Sequence, residues 1–220
     1  MFTALCLVAG GAWAQVGGDV ATRINNAGFD ESTGSFTNTE DGAPALDFAP
    51  GWRALTFNGG EATFAVINDA SAPSAPNVFQ VTQTKAGSSF DNVAFDRDFP
   101  GGRINGDFQP SNVYTFSGWF KNLTTDQLDI LFRGAIFDHD DVGDIDRTNG
   151  YANEGNWINV AGTSWTKYRA FWSPAFVANQ FSFQVIPGSW ANNPPLAATY
   201  SFQCDSFAIT DVTAGERMIN

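Results

Sequence analysis

Three tryptophans stand among polar residues in this 220-residue chain. Trp119 lies in Phe116-Ser117-Gly118-Trp119-Phe120-Lys121, Trp157 follows Asn153-Glu154-Gly155-Asn156, and Trp190 sits in Pro187-Gly188-Ser189-Trp190-Ala191-Asn192-Asn193. An indole offers a flat apolar face and one N–H donor. It can stack on the C–H face of a sugar ring while nearby amide, carboxylate and guanidinium groups satisfy the hydroxyls. The bland alternative is that these tryptophans only cover a core. Bond-breaking chemistry has less support. The glutamates Glu31, Glu40, Glu61, Glu154 and Glu216 are scattered, His139 is the lone histidine, and no Gly-x-Ser-x-Gly elbow or His pair is present. Glycosidases need two carboxylates at a set separation, which no motif here marks. The expectation is a binding protein, not an enzyme.

A second group of chemistry-bearing residues is Asp138-His139-Asp140-Asp141-Val142-Gly143-Asp144-Ile145-Asp146. Carboxylates this dense repel unless water or a cation neutralises them. Asp138, Asp140, Asp144 and Asp146 therefore read either as a solvated acidic loop or as a loop Ca²⁺ site. The register is not that of an EF-hand, since Val142 falls at position 5. A lone His among aspartates is poor support for zinc.

Acids outnumber bases 23 to 11, giving a formal charge of −12. That field repels phosphate backbones and argues against nucleic acid as a partner. A neutral polysaccharide or glycan is the easier ligand to defend. Residues 1–14 form an uncharged apolar stretch ending in Ala12-Trp13-Ala14, which reads as a signal peptide cleaved before Gln15 and predicts a secreted, extracellular protein. The stretch is too short to span a bilayer, so no membrane insertion is expected. Cleavage removes Cys6 and leaves Cys204, which shares a strand face with Tyr200 and Phe202 and reads as a buried small apolar residue.

The elements that must position these residues are strands. No window carries a helical apolar stripe of adequate length. Alternating segments at 52–57, 62–68, 77–84, 91–98, 112–121, 128–137, 156–161, 165–172, 180–187 and 199–211 are separated by clusters such as Asn58-Gly59-Gly60 and Asn192-Asn193-Pro194-Pro195. The expectation is all-β: a β-sandwich or jelly roll of about ten short antiparallel strands. Within 112–121, Tyr114, Phe116, Gly118 and Phe120 share the core side, which leaves Thr115, Ser117, Trp119 and Lys121 facing outward.

Several segments together resemble the carbohydrate-binding modules of the family 4/9/16/22 type, which have a galactose-binding-like β-sandwich. They are Asn26-Ala27-Gly28-Phe29-Asp30 with Gly51-Trp52, Val113 to Lys121, Gly162 to Tyr168, and Tyr200 to Ile209. The resemblance covers about residues 24 to 211. It implies that Trp52 and Trp165 are core residues and that Gln83 and Arg133 lie on the strands of a concave, sugar-binding sheet. It also implies a structural Ca²⁺ between Asp30 and Asp205, where the family places an acid near each end of the domain. The alternative reading for Asp205 is a carboxylate accepting hydrogen bonds at a bulge. The organisation expected is a signal peptide at 1–14, an extension at 15–23, the module at 24–211 and a tail at 212–220.

Two functions follow. The first is non-catalytic, lectin-like glycan binding through Trp119, Trp157 and Trp190, aided by Gln83 and Arg133. The second is an extracellular structural subunit of a fibre, sheath or surface layer, self-associating by strand addition or through calcium.

Overall fold

The computed structural model describes residues 28–30, 34–38, 49–74, 76–88, 93–96, 104–124, 128–137, 151–174, 176–188 and 200–213. Twelve strands carry the fold: β1 (Gly34–Asn38), β2 (Arg53–Thr56), β3 (Glu61–Asn68), β4 (Asn77–Lys85), β5 (Val93–Asp96), β6 (Ile104–Phe108), β7 (Tyr114–Asn122), β8 (Leu128–Phe137), β9 (Tyr151–Val160), β10 (Thr166–Trp172), β11 (Ala178–Gly188) and β12 (Ser201–Asp211). One sheet, A, runs in the order β1-β3-β4-β12-β7-β10; the other, B, runs β2-β5-β11-β8-β9, with β6 also paired to β11. Neighbouring strands pair antiparallel in both sheets. The chain is an all-β sandwich.

Ten of the strands coincide with the alternating segments of the sequence. The two unforeseen ones, β1 and β6, read Gly-Ser-Phe-Thr-Asn and Ile-Asn-Gly-Asp-Phe. Their glycines and polar residues give little alternation, so pairing partners rather than local propensity make them strands. β9 begins at Tyr151, not Asn156, because β8 is long enough to pair its polar first half.

Period-two alternation fills the space between the sheets with aromatic rings. Phe64, Phe79, Phe116, Phe120 and Phe202 from sheet A meet Phe95, Phe132, Phe181 and Phe183 from sheet B, all nearly or fully buried. Phe207 is the hub, with ring centroids 4.8 Å from Trp52, 5.3 Å from Phe183 and 5.9 Å from both Phe120 and Phe132. Gly118 makes room for it, since a Cβ there would meet the Phe207 ring at 2.9 Å. Such edge and offset contacts add stabilisation beyond area burial. At one margin the sheets are also tied by polar bonds. The Tyr168 hydroxyl donates to the Asn159 carbonyl at 2.6 Å, and the Asn122 amide donates to the Val160 carbonyl at 3.0 Å.

The chain's two ends meet at Phe207. Phe29 is fully buried against Trp52 at 5.2 Å and Phe79 at 5.1 Å, and it holds a φ of 60°, an uncommon value for a bulky residue. Opposite it, β12 carries a register shift between Asp205 and Ala208, with Ser206 at φ 51°. The extra residue of this bulge lets Asp205 face out from sheet A while Phe207 faces in.

Candidate functional site

The two outer faces of the sandwich differ. On sheet B, the outward residues of β8 are Asp129, Leu131 and Arg133, which alternate with the buried Leu128, Ile130 and Phe132. On β11 they are Gln180, Ser182, Gln184 and Ile186, alternating with Phe181, Phe183 and Val185. Leu55 and Ile186 form a small apolar cluster with Phe57 and Leu131 packed against it, separate from the main core. Beside that strip lies a polar one. Arg133 Nε donates to Gln184 Oε1, Asn159 donates to Asp129 at 2.9 Å, and Gln180 donates to Asn105 at 3.3 Å. Ile186, Gln184 and Asp129 face outward yet are only 7–8 % exposed, whereas Leu131 and Arg133 are half-buried and carry the accessible surface of these strands. An apolar floor flanked by amide, carboxylate and guanidinium groups is the arrangement that accepts a polar ring with apolar C–H faces.

Arg133 is half-buried on the outer side of sheet B and bonded to Gln184. Trp157 lies on β9 as the register partner of Leu131, which brings this sequence position to the same sheet. Trp119 is half-buried on the outer face of sheet A, paired with Lys167 on one side and Asp205 on the other. Trp119 and Trp157 belong to different sheets, so one continuous platform is not built from both. Gln83 departs from expectation. It lies on β4 of sheet A and points inward, 1 % exposed, because it continues the inward row of Phe79 and Val81. Neither of its amide atoms has a hydrogen-bond partner, and the same holds for the hydroxyl of Tyr200. These two residues are cross-strand neighbours, with Gln83 N–H donating to the Tyr200 carbonyl at 2.9 Å. Trp190 and the loop acids Asp138, Asp140, Asp144 and Asp146 lie outside the described residues.

Trp52 is fully buried, as expected. Trp165 is not: it is only half-buried, because it stands one residue before β10 on the outward side. Its indole N–H donates to Ser71 Oγ at 3.3 Å, and Lys121 Nζ lies 5.5 Å above the ring. Lys121 also pairs with Asp69 at 2.9 Å. The Ser71 hydroxyl bonded to Asp69, with Lys121 next in effect, lowers the Asp69 pKa to about 2. This clasp fastens the β3–β4 loop to β7 and β10.

Asp205 is fully buried beneath the same loop. Its carboxylate accepts the Ser74 backbone N–H at 2.7 Å and the Ser74 hydroxyl at 2.5 Å. Burial raises its pKa, and the Ser74 and Ser206 hydrogen bonds oppose that rise only in part. Asp30 is exposed in the N-terminal segment, two residues after Gly28. A Cβ on Gly28 would lie 2.5 Å from Ser74 Oγ and 3.2 Å from Asp30 Oδ2, so only glycine lets the three come together. The sequence pointed to Asp30 and Asp205; the contribution of Ser74 carried no signal there, because it arises from the folded loop. Cys204 is buried, and its surroundings raise the thiol pKa well above the ordinary value.

No protein-family model and no curated protein matches the chain. Solved structures do match in fold. The arabinose-bound α-L-arabinofuranosidase MgGH51 superposes with a TM-score of 0.55 at 18% identity over 86% of this chain. The enzymatically active domain of bacteriophage CBA120 tailspike protein 4 does so with a TM-score of 0.51 at 11% identity, again over 86%. The chain spans 26% of the first and 21% of the second. The CBM22-1 xylan-binding domain of Paenibacillus barcinonensis Xyn10C matches over 83% of this chain and 97% of its own, with a TM-score of 0.44 at 13% identity. The first two likenesses show the fold alone.

Proposed function

We propose that this chain is an exported, non-catalytic module that binds a neutral glycan along the outer face of sheet B. The observation that carries the reading is the pairing of two strips on one face: the half-buried apolar Phe57 and Leu131, packed on the buried Leu55 and Ile186, beside the hydrogen-bonded Arg133 and Gln184. The apolar strip offers a surface for ring C–H groups, and Arg133, oriented by Gln184, offers planar donors for hydroxyls. A sandwich fold alone would not support this, because function resides in the site. The net charge of −12 favours an uncharged ligand for this face.

The test is calorimetry of the chain from Gln15 against arabinoxylan, xylan and mixed-linkage β-glucan, with Arg133→Ala as the variant. Binding by the wild type that weakens about tenfold in Arg133→Ala supports the reading. Absence of binding to every neutral glycan, or equal binding by the variant, overturns it.

The same reading includes a structural Ca²⁺ between Asp30 and Asp205. The residues fit such an ion in kind: Asp205 is buried, and the groups that donate to it are those of the neutral Ser74 and Ser206. Ser74 Oγ lies beside it, and both Ser74 Oγ and Asp30 Oδ2 flank Gly28. Among the described residues no third acidic, His or Cys side chain joins the group, so carbonyl and hydroxyl oxygens would complete the shell.

A further inference from the structure

The opposite side of the sandwich carries a second patch with different chemistry. From Trp165 onward every second residue faces outward along β10: Trp165, Lys167, Arg169 and Phe171. Successive outward side chains on a strand are separated by about 6.6–6.8 Å, so this is an evenly spaced row. Beside it on β7, Trp119 is the register partner of Lys167, Ser117 of Arg169 and Thr115 of Phe171. Phe171 is 55 % exposed, the most exposed large apolar side chain among the described residues.

Among the described residues the two cations of the row have no acidic partner. Elsewhere on this acidic chain described lysines are matched, Lys85 with Glu61 and Lys121 with Asp69, both at 2.9 Å. Lys167 and Arg169 are exposed and stand in no ion pair. Where acids outnumber bases two to one, an unmatched pair of adjacent cations is the exception. Cations at a sheet edge also serve to block edge-to-edge association, and β10 ends sheet A. That role accounts for Lys167 and Arg169 but not for an exposed phenyl ring in line with them and an indole beside them.

We propose that the outer face of β10 and β7 is a second binding site, for an acidic polysaccharide bearing uronate groups. Trp119 and Phe171 take the ring faces, and Lys167 and Arg169 pair with the carboxylates. The chain's overall negative charge opposes such a ligand at long range. Contact pairs survive at ionic strengths where fields beyond about 8 Å are screened. The ligand class rests on the glycan-binding reading above, but the site does not, since the two faces belong to different sheets.

Affinity electrophoresis and calorimetry of the whole chain against polygalacturonate test this, with unsubstituted xylan as the neutral comparison. The wild type binds polygalacturonate, and Lys167→Gln/Arg169→Gln weakens that binding about tenfold or more while leaving xylan binding unchanged. Phe171→Ala weakens it as well. Arg133→Ala, on the other sheet, leaves polygalacturonate binding intact, so failure of the neutral site and failure of this one are separable. No binding of polygalacturonate by the wild type, or binding indifferent to the double substitution, overturns the proposal. So does a double variant whose only change is in sedimentation, which would assign the face to a second copy of the chain.

Discussion

Ser74 grips Asp205 with two donors, its backbone N–H at 2.7 Å and its hydroxyl at 2.5 Å, across 131 residues of sequence. The loop after β3 is thereby pinned to the bulge of β12, and a fully desolvated carboxylate is left with neutral partners.

The proposed Ca²⁺ site predicts a calcium-dependent stability. Adding Ca²⁺ at neutral pH should raise the melting temperature, and chelation should reverse it; at a hundredfold excess over Kd the gain is about 2.7 kcal/mol. Asp205→Asn should abolish the Ca²⁺ increment while tolerating EDTA as well as the wild type does. The sign of the pH effect is set by the raised pKa of Asp205. In EDTA its charged form is disfavoured in the folded state, so this group's contribution improves as pH falls through its folded pKa. Thermal melts with and without Ca²⁺ at several pH values read both effects. A melting temperature indifferent to Ca²⁺ would sink the metal assignment.

Asp69 behaves in the opposite sense. Its pKa is depressed from 3.8 to about 2, so the stability it contributes is fully present above pH 4 and is lost as pH falls toward 2. Both partners of the Asp69–Lys121 pair are mostly covered, with side chains 17% and 18% exposed. A contribution of about 1–2 kcal/mol is expected after solvent screening. Asp69→Asn should therefore flatten the acid limb of a denaturation series. An unchanged limb would show that the clasp contributes nothing measurable.

Tyr200→Phe should stabilise the protein. The Tyr200 hydroxyl is buried and has no partner, as are both amide atoms of Gln83 beside it. Leaving such a group unsatisfied costs about 1–3 kcal/mol, so removing it should recover about 1 kcal/mol in urea denaturation. A loss instead would reveal a bound water shared by Tyr200 and Gln83.

Gly118→Ala should destabilise by about 1–3 kcal/mol, because the new methyl meets the Phe207 ring at 2.9 Å and the ring has close neighbours on several sides. Equilibrium unfolding of this single variant is sufficient. Stability equal to wild type would mean that the aromatic hub yields more readily than its packing suggests.

The architecture was legible wherever alternation was strong. Val78-Phe79-Gln80-Val81 or Phe181-Ser182-Phe183-Gln184-Val185 can be read only as half-buried strands, and the faces of β7 followed from one apolar series. Residue placement was less legible where register decides. Gln83 already has the parity of Phe79 and Val81 within the expected strand 77–84, and it was the resemblance, not the alternation, that put it on a binding sheet. Trp165 is a core tryptophan by the same resemblance, yet its parity matches Lys167 and puts it outside. Distinguishing the two sheets requires the order of pairing, which no local pattern encodes, so Trp119 and Trp157 could not be separated by sequence. Likewise Arg133 could be named as a candidate but Gln184, its hydrogen-bond partner, could not, since their contact depends on the β8–β11 register.

β12, the final strand of the sandwich, lies in the interior of sheet A between β4 and β7. Until residues 201–211 are available, β4 and β7 have an empty lane between them, and the β1-β3-β4 group cannot join the β7-β10 pair. A nascent chain still short of this strand would present two raw edges flanked by unpacked phenylalanines, the surface on which misassembly begins. Closure of the sandwich must therefore wait until residues 201–211 have been synthesised, and the order of synthesis itself sets an interval in which the earlier strands stay unassembled.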